Sequence, residues 1–429
     1  MTFLKINNLN LNYFINFLII LMPVSFIAGN LIINLNLMLI IIFSLLFYGK
    51  DIFQVKLFFF DKLLVFVFAF CIFTSIVNTY LFQNNTPNNI DTFTIKKTFS
   101  FLRFLFFYFV LRFLVEKKIF NFKFFFISTA ICSIFVSIDL IYQFINGKDI
   151  FGFSSSSFKL SGPFGDEEIA GSYLQRFSVF SFFLVSIYFI KLPKERKFLI
   201  YFSLLLLFFY SVFLAGNRMP IILFMLFWIL LFIFENKLRK YSVLFFLTLF
   251  VFFFLMFSLN DQVNNYSLHF YKTTVQLVTF IPDLISNKTI SDFPNTYIKE
   301  FYSGIKSWQE NIFIGGGINS FHYNCVKTVA ACASHPHNYY LEILSENGLI
   351  GMMLWGGIFV YIFYVSILKK FFIKSNINNN NLITPFAILF FIEIFPIKTT
   401  GSFFTTGNAT YIFFIMAVII ALYRRSQYN

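Results

Sequence analysis

Residues 198–215 read Phe198-Leu199-Ile200-Tyr201-Phe202-Ser203-Leu204-Leu205-Leu206-Leu207-Phe208-Phe209-Tyr210-Ser211-Val212-Phe213-Leu214-Ala215, with Lys194-Glu195-Arg196-Lys197 before them and Gly216-Asn217-Arg218 after. A helix that is apolar all round is buried, either in a large core or in lipid. A bilayer core takes about 20 such residues, and the basic cluster at one end supplies a membrane flank. Comparable runs lie near 11–28, 31–48, 63–82, 98–115, 124–145, 172–190, 220–235, 242–258, 349–367, 382–397 and 410–423. Together they predict an all-α integral membrane protein with about 12 transmembrane helices, one polytopic domain over residues 1–429.

Composition points the same way: 58% of residues are hydrophobic, 12% are charged and the mean hydropathy is +0.76. These values exclude a soluble globular enzyme, a disordered tail protein and a disulfide scaffold. The 73 phenylalanines read as biased codon usage rather than as an aromatic binding surface. A net charge of +14 would suggest nucleic acid in a soluble chain. Here it is topogenic, and no nucleic-acid partner is expected. With the N-terminus inside, the short inner segments hold Lys5, then Lys50, Lys56 and Lys62, then Arg112, Lys117, Lys118 and Lys123. They continue with Lys191, Lys194, Arg196 and Lys197, then Lys237, Arg239 and Lys240, then Lys369, Lys370 and Lys374, and end with Arg424 and Arg425. That is most of the chain's 33 lysines and arginines, so both termini are expected in the cytoplasm. The first apolar run lacks a basic n-region and a small-residue cleavage site, which makes it a retained span rather than a cleaved signal.

Three outside segments are too polar or too long for simple turns: 83–97, 146–171 and 259–348. The last is a large periplasmic loop between helices 9 and 10, and it holds all four histidines, His269, His322, His335 and His337. Near its end runs Ser334-His335-Pro336-His337-Asn338-Tyr339-Tyr340-Leu341-Glu342-Ile343-Leu344-Ser345-Glu346-Asn347-Gly348-Leu349-Ile350-Gly351. Pro336 suits a first helical turn and Asn347-Gly348 a stop. A helix starting near His337 would place His337, Leu341 and Leu344 on one face and Asn338, Glu342 and Glu346 on the other. Such a helix is expected to lie on the outer membrane surface, leading into the tenth span.

The pattern His337-Asn338, nine residues, Gly348, two residues, Gly351 resembles the signature of the O-antigen ligase and O-antigen polymerase superfamily. Further stretches resemble that family: Trp308-Gln309-Glu310-Asn311-Ile312-Phe313-Ile314-Gly315-Gly316-Gly317-Ile318-Asn319-Ser320-Phe321, Leu160-Ser161-Gly162-Pro163-Phe164-Gly165-Asp166, and Ala215-Gly216-Asn217-Arg218. The resemblance covers about residues 150–370. It implies a glycosyltransferase that moves a glycan from an undecaprenyl diphosphate carrier to an acceptor hydroxyl at the periplasmic face of the bacterial inner membrane. The acceptor would be a growing glycan, a lipid A core or a protein hydroxyl.

A diphosphate leaving group calls for fixed cations, and Arg binds it bidentately at any working pH. An acceptor hydroxyl must lose its proton, which suits an imidazole whose ordinary pKa is about 6.5. The resemblance assigns His337 as base and Arg218 as a diphosphate ligand. The family's second Arg is absent, because no Arg lies between Arg239 and Arg424; Lys299 is the expected substitute. No cofactor and no metal are expected.

Charges inside spans cost roughly 2.5–3.5 kcal/mol each on insertion scales. Arg103 and Asp139 lie at matching depths and are expected to form a structural ion pair, with a lipid diphosphate site as the alternative. Arg176 and Glu393, near the outer ends of the sixth and eleventh spans, are expected to line the same cavity. Asp166, Glu167 and Glu168 are positioned to cap the sixth span. Cys71 and Cys132 fall within spans as small apolar residues, whereas Cys325 and Cys332 share the outside loop, where an oxidising compartment favours a disulfide. Their spacing with His335 and His337 matches no usual zinc pattern.

The rival functions are a transporter or channel and a flippase for the same lipid. A carrier would want ionisable residues near the bilayer midplane and matched halves, and no such internal repeat is visible. Reporter fusions test the topology: one after Lys194 should report the cytoplasm and one after Glu300 the periplasm. An inside signal at Glu300 would overturn it.

Overall fold

The computed structural model describes residues 8–81, 91–154, 159–259, 296–328, 332–368, 380–399 and 401–428, together with Lys272 and Val275. Lys5, most of the 83–97 segment and His269 lie outside the described residues.

Inside lipid, short of a closed barrel, only a helix satisfies its own backbone groups. Among the described residues the chain is helix joined by turns, with one isolated bridge between Lys148 and Ser154. The helices are α1 (Asn8–Ile20), α2 (Met22–Ala28), α3 (Asn30–Phe53), α4 (Phe59–Leu81), α5 (Asp91–Glu116), α6 (Phe122–Asn146), α7 (Ala170–Phe177) and α8 (Val179–Tyr188). They continue with α9 (Lys194–Leu214), α10 (Arg218–Phe234), α11 (Arg239–Leu259), α12 (Thr296–Gln309), α13 (Phe321–Thr328), α14 (Tyr339–Phe363), α15 (Asn380–Glu393) and α16 (Thr406–Tyr428).

The apolar runs fall on helix, but the expected count of 12 spans is not reached. Among the described residues 7 helices are long and apolar enough to cross a membrane, or up to 9 if each of two bent pairs is one span. The shortfall has local causes. α1 and α2 break at Leu21 with a 42° bend, and α10 meets the following helix at 116°. The run 172–190 is cut at Ser178 into α7 and α8, each too short to cross alone. In the 382–397 run the helix ends at Glu393.

α16 is the central helix, with Ala409 and the whole stretch from Tyr411 to Leu422 buried. Phe413 brings its ring within 5.6 Å of Phe68, 5.9 Å of Phe101 and 5.8 Å of Phe104. The abundant phenylalanines therefore fill the interhelical space. At one end of the bundle Arg112 of α5 pairs with Asp61 of α4, its Nε lies 3.1 Å from Glu116, and Arg424 of α16 reaches Glu116 at 2.8 Å. Tyr108 completes the knot by donating to Asp61 at 2.8 Å.

At the opposite end, α14 breaks its helical geometry at Gly348, which has φ 66° and ψ −170°. Two freed amides, those of Leu349 and Ile350, donate to the carbonyls of Ile312 and Phe313 at 2.9 and 3.1 Å. In return the amides of Gly316 and Gly317 donate to Ser345 and Glu346 at 3.1 and 2.7 Å. The 311–319 loop is thus docked into the break, and Asn78 of α4 donates to Gly315 O at 2.8 Å. The expected stop at Asn347-Gly348 is in fact a kink within one long segment, because these loop carbonyls replace the lost helical acceptors.

Gly348 occupies a backbone region that is essentially restricted to glycine, at about 1–3 kcal/mol for other residues, and a Cβ there would overlap the Phe313 carbonyl. Gly348→Ala should therefore lower the melting temperature and folded yield markedly. Gly356→Ala, in the same helix with nothing within 4 Å of its Cβ position, should be neutral or slightly stabilising. Fluorescence-detected size exclusion after heating compares the two.

Candidate active site

The residues of the His motif divide into those that build the site and those left facing into it. Asn338 is the N-cap of α14: its side-chain oxygen accepts from the amides of Tyr340 and Leu341 at 3.0 and 3.2 Å. Its Nδ2 donates to Pro396 O at 2.7 Å, tying the turn after α15 to the start of α14. Glu342 accepts from the Phe403 amide at 2.6 Å, and Glu346 accepts from the Asn319 amide at 2.7 Å. Both glutamates are buried. The face that carries Asn338, Glu342 and Glu346 therefore clasps loop backbone, so this helix does not lie as a surface helix with that face uncovered.

His337 precedes this cap in the left-handed region, at φ 51°. The neighbouring Pro336 is pinned against α12, where a Cβ at Gly304 would stand 3.0 Å from the Pro336 Cβ. One turn earlier on α12, Glu300 places Oε1 3.6 Å from His337 Nε2. The His335 ring lies 4.2 Å from that of His337, and its Nδ1 meets Ser334 Oγ at 2.9 Å. Burial, with His337 acting in the same direction, pulls His335 down to about 4, while burial lifts Glu300 to about 7. The outer histidine of the pair is thus held neutral, and beside His337 stands a carboxyl that changes charge near neutrality.

Below this surface is a buried cluster of charge. Arg176 of α7 grips Glu393 with Nε to Oε2 at 3.1 Å and Nη2 to Oε1 at 2.6 Å. Lys398 and Tyr339 reach the same Oε1 at 2.6 and 2.8 Å, and Arg176 also donates to Asn408 at 2.6 Å. Arg176 and Glu393, expected to line one cavity, neutralise one another as an ion pair. Burial pulls the Lys398 ammonium down to about 8, although Glu393 beside it acts the other way.

The Arg103–Asp139 ion pair does not form. Arg103 donates to Ser100 O at 2.9 Å and to Thr406 Oγ1 at 3.2 Å, with its guanidinium 4.6 Å from the Phe104 ring centroid. Asp139 accepts from the Ile150 amide at 2.8 Å. Equal depth does not make neighbours: α5 packs on α16, whereas Asp139 turns to the loop after α6.

Arg218 is exposed at the first position of α10. The turn before it is fixed by Asn217 donating to Glu168 O at 2.6 Å, and by Gly171 of α7 packed against Ala215 and Pro220. α10 also packs against α15, so Arg218, Arg176 and Glu393 belong to adjoining helices. Lys299, half-buried, adjoins Glu300 on α12 and accepts at its carbonyl from Ser303 Oγ at 2.7 Å. Glu168 pairs with Lys159 at 2.6 Å, and α7 has no side-chain cap. Cys325 and Cys332 are joined by a disulfide. Among the described residues no group of three His, Cys, Asp or Glu side chains is placed to hold a metal.

Glu300 and Lys398 are the site residues that the sequence reading missed. Lys398 stands one residue past the last residue of the 382–397 run, five beyond Glu393, which is a legible signal. Glu300 carries none, since only the approach of α12 at Gly304 aims it.

The fold and site define a multi-pass membrane protein with a histidine and a carboxylate poised where a loop meets the helix ends. Residues 202–356 match the family model described as O-antigen ligase. That stretch runs from α9 into α14 and includes Arg218, Lys299, Glu300 and His337, and the match supports the resemblance to the O-antigen ligase and polymerase superfamily. No curated protein matches the chain.

Removing one member of a buried ion pair typically costs about 3–5 kcal/mol, whereas replacing both with apolar groups is often neutral. Arg176→Met should therefore reduce thermal stability strongly, and Arg176→Met combined with Glu393→Leu should recover part of the loss. The measurement is melting temperature in detergent. A single variant as stable as the parent would refute a structural role for the pair.

Proposed function

We propose that this protein transfers a glycan from an undecaprenyl diphosphate-linked donor to an acceptor hydroxyl at the periplasmic face of the bacterial inner membrane. Glycan transfer of the ligase or polymerase type is the general activity of the matching family. The observation that carries the finer reading is His337, whose side chain is 31% exposed beside a carboxylate on a rigid turn while the rest of its motif is spent on backbone.

In this reading both termini are cytoplasmic and residues 259–348 are periplasmic. The polyprenyl tail stays in the bilayer, and Arg218, supported by Lys299, holds the diphosphate. His337 takes the acceptor's proton as the hydroxyl oxygen attacks the anomeric carbon, and the bond to the diphosphate breaks with its electron pair leaving on phosphate oxygen. The acceptor is a growing glycan, a lipid A core or a protein hydroxyl. The fixed cations neutralise the leaving group in this scheme, so no metal step is invoked. A carrier or flippase would have a different use for buried charge: Arg176, Glu393 and Lys398 are mutually paired, which suits scaffolding better than ion passage.

The test is release of polyprenyl diphosphate from a lipid-linked glycan by the purified protein. General-base catalysis is typically worth about 10²–10⁴ in rate, so His337→Ala should lose that much with donor binding nearly intact, and His335→Ala should keep most activity. Arg218→Ala should weaken donor use sharply and Arg218→Lys recover only part, since Lys cannot form the bidentate fork. Transfer that survives His337→Ala would sink the assignment of the base.

A further inference from the structure

Among the described residues the Glu300 carboxylate makes no hydrogen bond to backbone or to another side chain. Its Oε1 faces His337 Nε2 at 3.6 Å, and its Oε2 is buried with no hydrogen-bond partner among the described residues. The two side chains are 14% and 31% exposed, so the pair sits at the edge of solvent rather than in it. A buried acceptor left unpaired costs free energy, and a protein that keeps one invites a functional account.

The separation is set by rigid parts. α12 lies along α14, with Gly304 against Pro336 and Leu341 at Cβ distances of 3.0 and 3.3 Å. A larger residue at position 304 would push the helices apart and move the carboxylate away. On the other side, the left-handed backbone at His337 and the double cap by Asn338 limit where the imidazole points. Catalytic contacts are often long in unliganded proteins and tighten when substrate binds.

We propose that Glu300 is a positioning residue: its carboxylate holds the Nε2–H of His337, makes Nδ1 the nitrogen that takes the acceptor's proton, and neutralises the imidazolium that results. The role rests on the reading of His337 as the base. The hydroxyl proton passes to Nδ1, the new oxygen–carbon bond forms, and the diphosphate departs with the electron pair of the broken bond. The proton on Nε2 stays on that nitrogen, directed at Glu300, throughout. An imidazole's working tautomer is set by the partner of its other nitrogen, and removing such a partner typically costs about 10–100-fold.

Four charged or titratable groups on the neighbouring described segments bear on the pair. Lys299 adjoins Glu300 on α12. His335, drawn down to about 4, adds no charge near neutral pH. His322 on α13 directs Nδ1 to Ala333 O at 3.4 Å, and Glu342 on α14 is occupied by the Phe403 amide.

The experiment compares Glu300→Gln, Glu300→Asp and His337→Ala in the full chain, in nanodiscs, with a polyprenyl diphosphate-linked glycan as donor. Glu300→Gln should lower kcat about 10–100-fold, leave the donor KM within about twofold, and move the acid limb of the pH–rate profile to lower pH because the imidazole loses its anionic partner. Glu300→Asp should recover part of kcat. Folding is followed separately. Burial raises the Glu300 carboxyl to about 7, so its favourable contribution is complete below the unfolded value, about 4.3, and is lost as pH rises through about 7. Glu300→Gln should then melt no lower than the parent at pH 8.5. A lower melting temperature accompanying the kcat loss would make Glu300 structural and overturn the proposal. Parental kcat with an unmoved acid limb, while His337→Ala is dead, would overturn it and leave His337 as base. An active His337→Ala would remove both.

Discussion

Backbone N–H and C=O groups in or beside lipid have no water to fall back on, and each must find a partner within the protein. An unbroken helix meets this requirement by itself; a broken one must borrow. The chain breaks regular helix at Gly348, in the turn after α15 and in the loop after α6, and at each break a buried polar side chain collects the stranded groups. Glu346 takes the amides of Asn319 and Phe321, Glu342 that of Phe403, Asp139 that of Ile150, and Asn338 joins its own helix start to Pro396. Remove these acceptors and the loops that frame the site lose part of what holds them against the helix ends.

The same constraint separates scaffold from chemistry within the His motif. Gly348 and Gly351 admit close approach, Asn338 caps, and Glu342 and Glu346 clasp loops, so all of them have finished their work before any substrate arrives. His337 alone among the motif's conspicuous polar residues is presented outward, beside a carboxylate brought from another helix. Two sets of buried charges are ion-paired. Arg176 with Glu393 at one end, and Arg112 with Asp61 at the other, clamp helices distant in sequence.

Much of this was legible because the bilayer writes a simple code. Runs such as 198–215 are helices, and Arg112 and Arg424, both read as inner-face residues, meet at Glu116. The count of spans was less legible, since an apolar run such as 172–190 says nothing of a break at Ser178. Arg103 and Asp139 were matched by depth, yet depth along the membrane normal leaves the angle around each helix undetermined, and they face different neighbours. Periodicity puts Asn338, Glu342 and Glu346 on one face, but it cannot distinguish water from the docked loops that this face holds.

By itself the sequence determined the solvent this chain requires, the helical backbone that follows from it, and the family to which residues 202–356 belong. Those properties depend on local composition and spacing, which need no knowledge of partners. Tertiary structure decided which charges meet, that Gly348 bends a helix rather than ending it, and that Glu300 stands at His337. Such facts depend on how helices far apart in sequence rotate and pack, and a contact across 37 residues of chain leaves no mark in either residue's surroundings in the sequence.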